Sequence, residues 1–129
     1  MGIFRTSEMR AFTRSSQKIN FAELKKAPQR FLGVRVVLRG YVKWIQEDAR
    51  GTLFSLDVEE SKIVRNVSQR CDFLVSYPDS IDALPGDLLD AYGEISGVSR
   101  DFEDGWGMPL IMPTVYAKIV DVYGKRQRY

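Results

Sequence analysis

Arg35, Arg39, Tyr41 and Lys43 share one face of an alternating stretch that begins at Val34. On an extended chain every second residue points the same way, so three cations and a phenol ring lie along a single edge. That set suits a single-stranded polynucleotide, whose phosphates meet the cations while a base stacks on the ring. Lys62, Arg65 and Arg70, in the segment from Glu60 to Arg70, could add phosphate contacts. A second constellation is Arg100, Phe102 and Trp106, in a long polar loop expected from Gly97 to Gly107. Aromatic rings beside an arginine are the chemistry of an anchor in a partner protein's pocket. Asp101, Glu103 and Asp104 in that stretch offer carboxylate oxygens but lack the full ligand pattern of a calcium loop. They read as solvated turn acids, and no metal ligand is assigned.

Composition narrows the chemistry further. The 129 residues include no histidine, which excludes Ser-His, Cys-His and His-ligated metal sites. The single cysteine, Cys71, excludes disulfide frameworks and thiolate–zinc clusters. No catalytic residue and no cofactor is expected, which leaves a binding module. The apolar fraction of 44% fits one folded domain. No window approaches the roughly 20 apolar residues of a membrane span. The first nineteen residues hold four arginines and lysines and no apolar core of a signal peptide, so the cytoplasm is expected. A chain that had lost an upstream leader would instead be exported.

The net charge of +2 conceals an asymmetry. Residues 1–50 carry 11 Lys/Arg against 4 Asp/Glu, residues 51–106 carry 4 against 12, and residues 107–129 carry 4 against 1. Such halves either present two partner faces or pair with one another.

The elements that position these groups follow from local pattern. Residues 1–19 read as an irregular basic arm and residues 124–129 as a basic tail. Between them, residues 20–123 form one domain with a leading helix. Asn20 and Glu23 have capping-box spacing, Ile19 and Leu24 staple spacing, and Pro28 stops the helix near Ala27. A period of two then places Val36, Leu38, Gly40, Val42 and Trp44 on the inner face of the first strand. A five-residue loop, Glu47 to Gly51, leads to a second strand with Phe54, Leu56 and Val58 inward. The hairpin register predicts Trp44 opposite Phe54, Val42 opposite Leu56 and Gly40 opposite Val58. On the outer face it sets Tyr41 opposite Asp57, Arg39 opposite Glu59 and Lys43 diagonal to Asp57. The outer residues of the second and third strands, Ser55, Asp57, Glu59, Asp72, Leu74 and Ser76, read as acidic and almost free of aromatics. Strands from Cys71 to Tyr77, from Gly86 to Ile95 and from Leu110 to Tyr123 complete the set, with a brief helical turn at 80–85. Five strands, the first bent and glycine-containing, fit a small closed barrel.

The run Phe21-Ala22-Glu23-Leu24, then Ala27-Pro28-Gln29-Arg30-Phe31-Leu32-Gly33-Val34-Arg35-Val36 and Gly40-Tyr41-Val42, resembles the opening of bacterial OB-fold proteins of the tRNA-anticodon-like class. Leu84-Pro85-Gly86-Asp87 with Tyr92-Gly93-Glu94 is similar to that class's turn before its fourth strand, and Lys118-Ile119-Val120-Asp121-Val122 to its closing strand. The resemblance covers residues 20–123 and implies an all-β, five-stranded Greek-key OB-fold barrel with a short N-terminal helix. Its members include nucleic-acid binders and parts of larger assemblies, so fold alone does not choose a ligand. The leading reading is a non-catalytic module that binds a protein partner through Arg100, Phe102 and Trp106. The alternative is single-stranded DNA or RNA, held by Arg35, Arg39, Tyr41, Lys43, Lys62 and Arg65.

Overall fold

The computed structural model describes residues 7–60 and 70–123. They form two helices, α1 (Ser7–Ser15) and α2 (Phe21–Lys26), a 3-10 turn (Pro28–Phe31) and five strands. The strands are β1 (Arg35–Asp48), β2 (Gly51–Glu59), β3 (Arg70–Tyr77), β4 (Leu88–Glu103) and β5 (Pro109–Val122). They close into a barrel in the order β1-β2-β3-β5-β4, antiparallel except where β3 and β5 run parallel. This is the five-stranded barrel expected from the sequence. None of the described helices is long and apolar enough to cross a membrane.

Closure depends on β1 serving two neighbours. Arg35 to Tyr41 pair with β4, and Gly40 to Asp48 pair with β2. The strand changes partner at Gly40, where an added Cβ would lie 2.3 Å from the Asp57 carbonyl oxygen. Only glycine permits that approach. Inside the barrel Val36, Leu38 and Val42 meet Phe54, Leu56, Phe73 and Val75. Asn20 caps α2 by accepting the Glu23 N–H at 3.1 Å, and the helix plugs one barrel end with Phe21 and Leu24.

In its secondary-structure elements and turns the structure differs from the sequence reading in four places. Residues 7–15 are a helix rather than an irregular arm. Met9 and Phe12, three apart and therefore on one helix face, bury themselves against Tyr92, Val37 and Ile119 on the outside of the barrel. The β1–β2 connection is a two-residue turn, Ala49 and Arg50, because both strands extend until Asp48 faces Gly51. The stretch from Gly97 is not a loop, since β4 and β5 continue pairing out to Glu103 and Pro109. Only 104–108 turn the chain, with Asp104 Oδ1 accepting the N–H groups of Trp106 and Met108 at 2.8 and 3.0 Å. Residues 80–85 contain no helical turn. Asp87 organises the end of this segment by accepting the Leu84 N–H at 2.9 Å.

Cys71 lies in the core. Burial pushes its thiol up to about 11, only partly offset by Lys25. At pH 8 the reactive thiolate is therefore roughly a hundredfold scarcer than in an unburied cysteine. Native protein should react with a disulfide reagent at least that much more slowly than protein unfolded in urea; equal rates would refute the burial argument. Because the folded state raises this pKa, the stability contributed by the neutral thiol is intact below about pH 9 and lost as pH rises toward 11.

Candidate nucleic-acid interface

A β-bulge at Lys43 decides what the outer face of the barrel carries. The predicted register holds from Gly40 to Val42, but the next pairs are Trp44 with Ser55 and Ile45 with Phe54. The extra residue inverts the alternation, so Ile45 packs toward the core and Trp44 turns outward. Trp44 then shares a row with Ser55 and Leu74 across β1, β2 and β3. Phe102 reaches this face from the long β4–β5 hairpin, its ring 5.5 Å from that of Trp44 and tilted by 39°. Ser55 and Leu74 point outward yet are only 2% and 8% exposed, which this aromatic cover explains. In the next row Tyr41, 51% exposed, faces Asp57, and Asp57 faces Asp72. On the opposite side of Trp44, a cleft of about 260 Å³ is lined by Leu53, Ser76, Tyr77 and Tyr116.

The outer residues of β2 and β3 are free of aromatics, as the sequence indicates, but Trp44 of β1 and Phe102 of the hairpin make the face an aromatic platform. Two adjacent large apolar residues, Trp44 and Ile45, were the available signal: both cannot point inward in a regular strand.

The cations are distributed differently from the expected pattern. Arg39 pairs with Asp90 of β4, not with Glu59, through Nε–Oδ1 at 2.9 Å and Nη2–Oδ2 at 3.2 Å. Its guanidinium also lies 5.0 Å over the Tyr123 ring and donates to the Tyr123 hydroxyl at 3.0 Å. That hydroxyl in turn donates to Asp90. Hydrogen bonding and attraction to Asp90 raise the Arg39 pKa, while burial, then the Asp90 carboxylate, raises that of Tyr123. Lys43 bonds Asp72 at 3.1 Å rather than Asp57. Asp57 is taken by Arg70, which forks onto both its oxygens at 3.1 and 3.0 Å and reaches Glu59 at 2.8 Å. Arg35 is held under α1, 5.2 Å over the Phe12 ring and donating to Ser15 Oγ.

These pairs are unequal in what it takes to open them. Lys43–Asp72 and Arg70–Asp57 are substantially exposed, so water and salt screen both pairs. A phosphate can displace those carboxylates at little cost. Asp90 is only 2% exposed, and stripping Arg39 from it would leave a buried charge uncompensated. The structure therefore gathers Tyr41, Lys43, Trp44, Arg70 and Phe102 on the outer face, and ties Arg35 and Arg39, on the same face of β1, to α1 and β4. Arg100 is exposed on β4, and Trp106, at the hairpin tip, is 92% exposed. Lys62 and Arg65 lie outside the described residues. Among the described residues no group of three or more His, Cys, Asp or Glu side chains could hold a metal ion.

No protein-family model matches the chain, and no curated protein matches it. Among solved structures it is similar to a small single-stranded DNA-binding protein from Streptomyces coelicolor, with 16% identity and a TM-score of 0.53. That alignment covers 73% of this chain and 97% of the other. The mitochondrial single-stranded DNA-binding protein Rim1 of S. cerevisiae aligns at 12% identity and a TM-score of 0.42, over 71% and 96% of the two chains. Strand order and the first of these likenesses define the fold as an OB barrel.

Proposed function

We propose that this protein binds single-stranded nucleic acid, without catalysis, on the outer face of β1, β2 and β3. The observation that carries the reading is the bulge at Lys43, which delivers Trp44 beside Phe102 on the face OB barrels use for oligonucleotides. A base stacks on the outer side of this pair, Tyr41 offers a second ring, and Lys43 and Arg70 exchange surface carboxylates for phosphates. The fold shared with a protein named for binding single-stranded DNA supports the same choice. The resemblance of the motifs around Pro28 and Gly86 supports reading the chain, within this proposal, as one of the bacterial tRNA-anticodon-like OB-fold proteins.

The test is fluorescence anisotropy of labelled dT and rU oligomers at 50 and 200 mM salt. Micromolar or tighter binding that weakens as salt rises is expected. No binding to either oligomer at 50 mM salt would overturn the proposal.

The exposure of Trp106 and its neighbour Met108 supports a second reading, an anchor for a protein partner at the hairpin tip. Trp106→Ala separates the two sites. It is expected to leave oligomer affinity within about twofold, because the Trp44–Phe102 platform does not include it.

A further inference from the structure

A strand lying on the platform needs phosphate contacts, and most platform cations already have carboxylate partners. The described structure gathers cations without such partners in another place. A pocket of about 310 Å³ lies between the end of α2, the 3-10 turn and the far half of β4. Lys25, Lys26, Gln29 and Arg100 line it, and no Asp or Glu does. Among the described residues none of these three cations has an ion pair.

The cations are held on ordered backbone. Lys25 and Lys26 form the last turn of α2, whose other face is fixed by Phe21 and Leu24 in the core. The 3-10 turn is tied to β4 by Gly33 N–H to Ile95 O at 2.8 Å and Ile95 N–H to Val34 O at 3.0 Å. Gly97, with φ +150°, adds no side chain to the β4 wall. All three side chains are exposed and carry the same charge, and an anion in the pocket would offset their mutual repulsion. Arg100 precedes Phe102 by two residues on β4, a separation of about 7 Å along a strand.

From this arrangement we infer that the pocket binds a phosphate group, and that the group belongs to the backbone of the strand whose base meets Phe102. Lys25, Lys26 and Arg100 supply the charge, and Gln29 a neutral donor. The inference rests on the proposed platform for the identity of the strand, though not for the affinity of the pocket for phosphate.

The experiment uses the full chain and the triple variant K25Q/K26Q/R100Q, whose substituted side chains are exposed. A thermal melt matching the parent confirms that the variant folds. Binding of a dT oligomer is measured by anisotropy from 50 to 200 mM salt, and binding of inorganic pyrophosphate by calorimetry. The expected result is weaker oligomer binding by the variant at low salt and a log–log salt slope reduced by one to two. The deficit then shrinks about tenfold across that salt range. Parent-like slope and affinity in the variant would overturn the inference and leave the platform reading intact. Pyrophosphate binding that needs the three cations, in a parent that ignores dT, would retain the pocket as a site for free phosphoanions and defeat the platform. A parent that binds neither probe would defeat both.

Discussion

Trp44→Ala is expected to weaken binding of a dT oligomer by about 5- to 150-fold, the equivalent of one base–aromatic stack of about 1–3 kcal/mol. The salt dependence should not change, because removing a ring releases no counterions and only phosphate contacts set the slope. This separates the platform from the Lys25–Lys26–Arg100 pocket, where the slope falls. Trp44→Phe keeps a π-face against Phe102 and should recover most of the loss. The chain has two tryptophans, so Trp106→Phe leaves Trp44 as sole tryptophan, and the tryptophan emission should be quenched as the oligomer binds. Unchanged affinity in Trp44→Ala, with a native melt, would show that bases do not meet this face.

That prediction could not have been drawn from the sequence, and the reason is local. Alternation located all five strands because each turns one face to the barrel core, and the residues on that face are apolar at period two; on the outer face of β4 Asp90 and Tyr92 are buried as well, by Arg39 and α1. A bulge is an insertion into that pattern, and Lys43 is a polar residue that suits the outer face in either register. The reading therefore carried Trp44 inward. The β4–β5 hairpin was lost for a related reason. Beyond Gly97 this half of β4 pairs with β5 and no longer with β1, so Arg100, Asp101 and Glu103 remain exposed and the stretch imitates a loop. Even so, Phe102 pairs with Leu110, and Ser99 with buried Met112.

Ion pairing failed for a topological reason. A hairpin register specifies neighbours of adjacent strands, and it set Tyr41 opposite Asp57 correctly. Asp90 lies 51 residues from Arg39 and meets it only because the barrel closes β4 against β1. The proposed interface is thus built from features that periodicity does not encode: a bulge, a folded-back hairpin, and charge partners set by closure.

Closure itself makes the second prediction. Gly40→Ala is expected to destabilise the protein by about 2–3 kcal/mol, the upper range for overpacking, lowering Tm by about 10 °C in a chain of this size. The added methyl would stand 2.3 Å from Asp57 O and 2.9 Å from its carbonyl carbon. Those are backbone atoms, so no rotamer change relieves the clash and β2 must move. Gly105→Ala is the control, since nothing lies within 4 Å of its Cβ position and its backbone is not left-handed; its Tm should stay within about 2 °C of the parent. Gly40 faces Leu89 on β4 and Val58 on β2, so it is the point where β1 exchanges one neighbour for the other. Forcing the strands apart there re-aims the second half of β1, which carries Lys43 and Trp44. Folded Gly40→Ala protein at low temperature should therefore bind dT more weakly than the parent, although Gly40 is buried and touches no ligand. A variant that melts like the parent would mean that the barrel does not close through this crossing. Parent-like affinity in a destabilised variant would mean that the platform tolerates the strand shift, and that the Trp44–Phe102 pair is positioned by the hairpin rather than by β1.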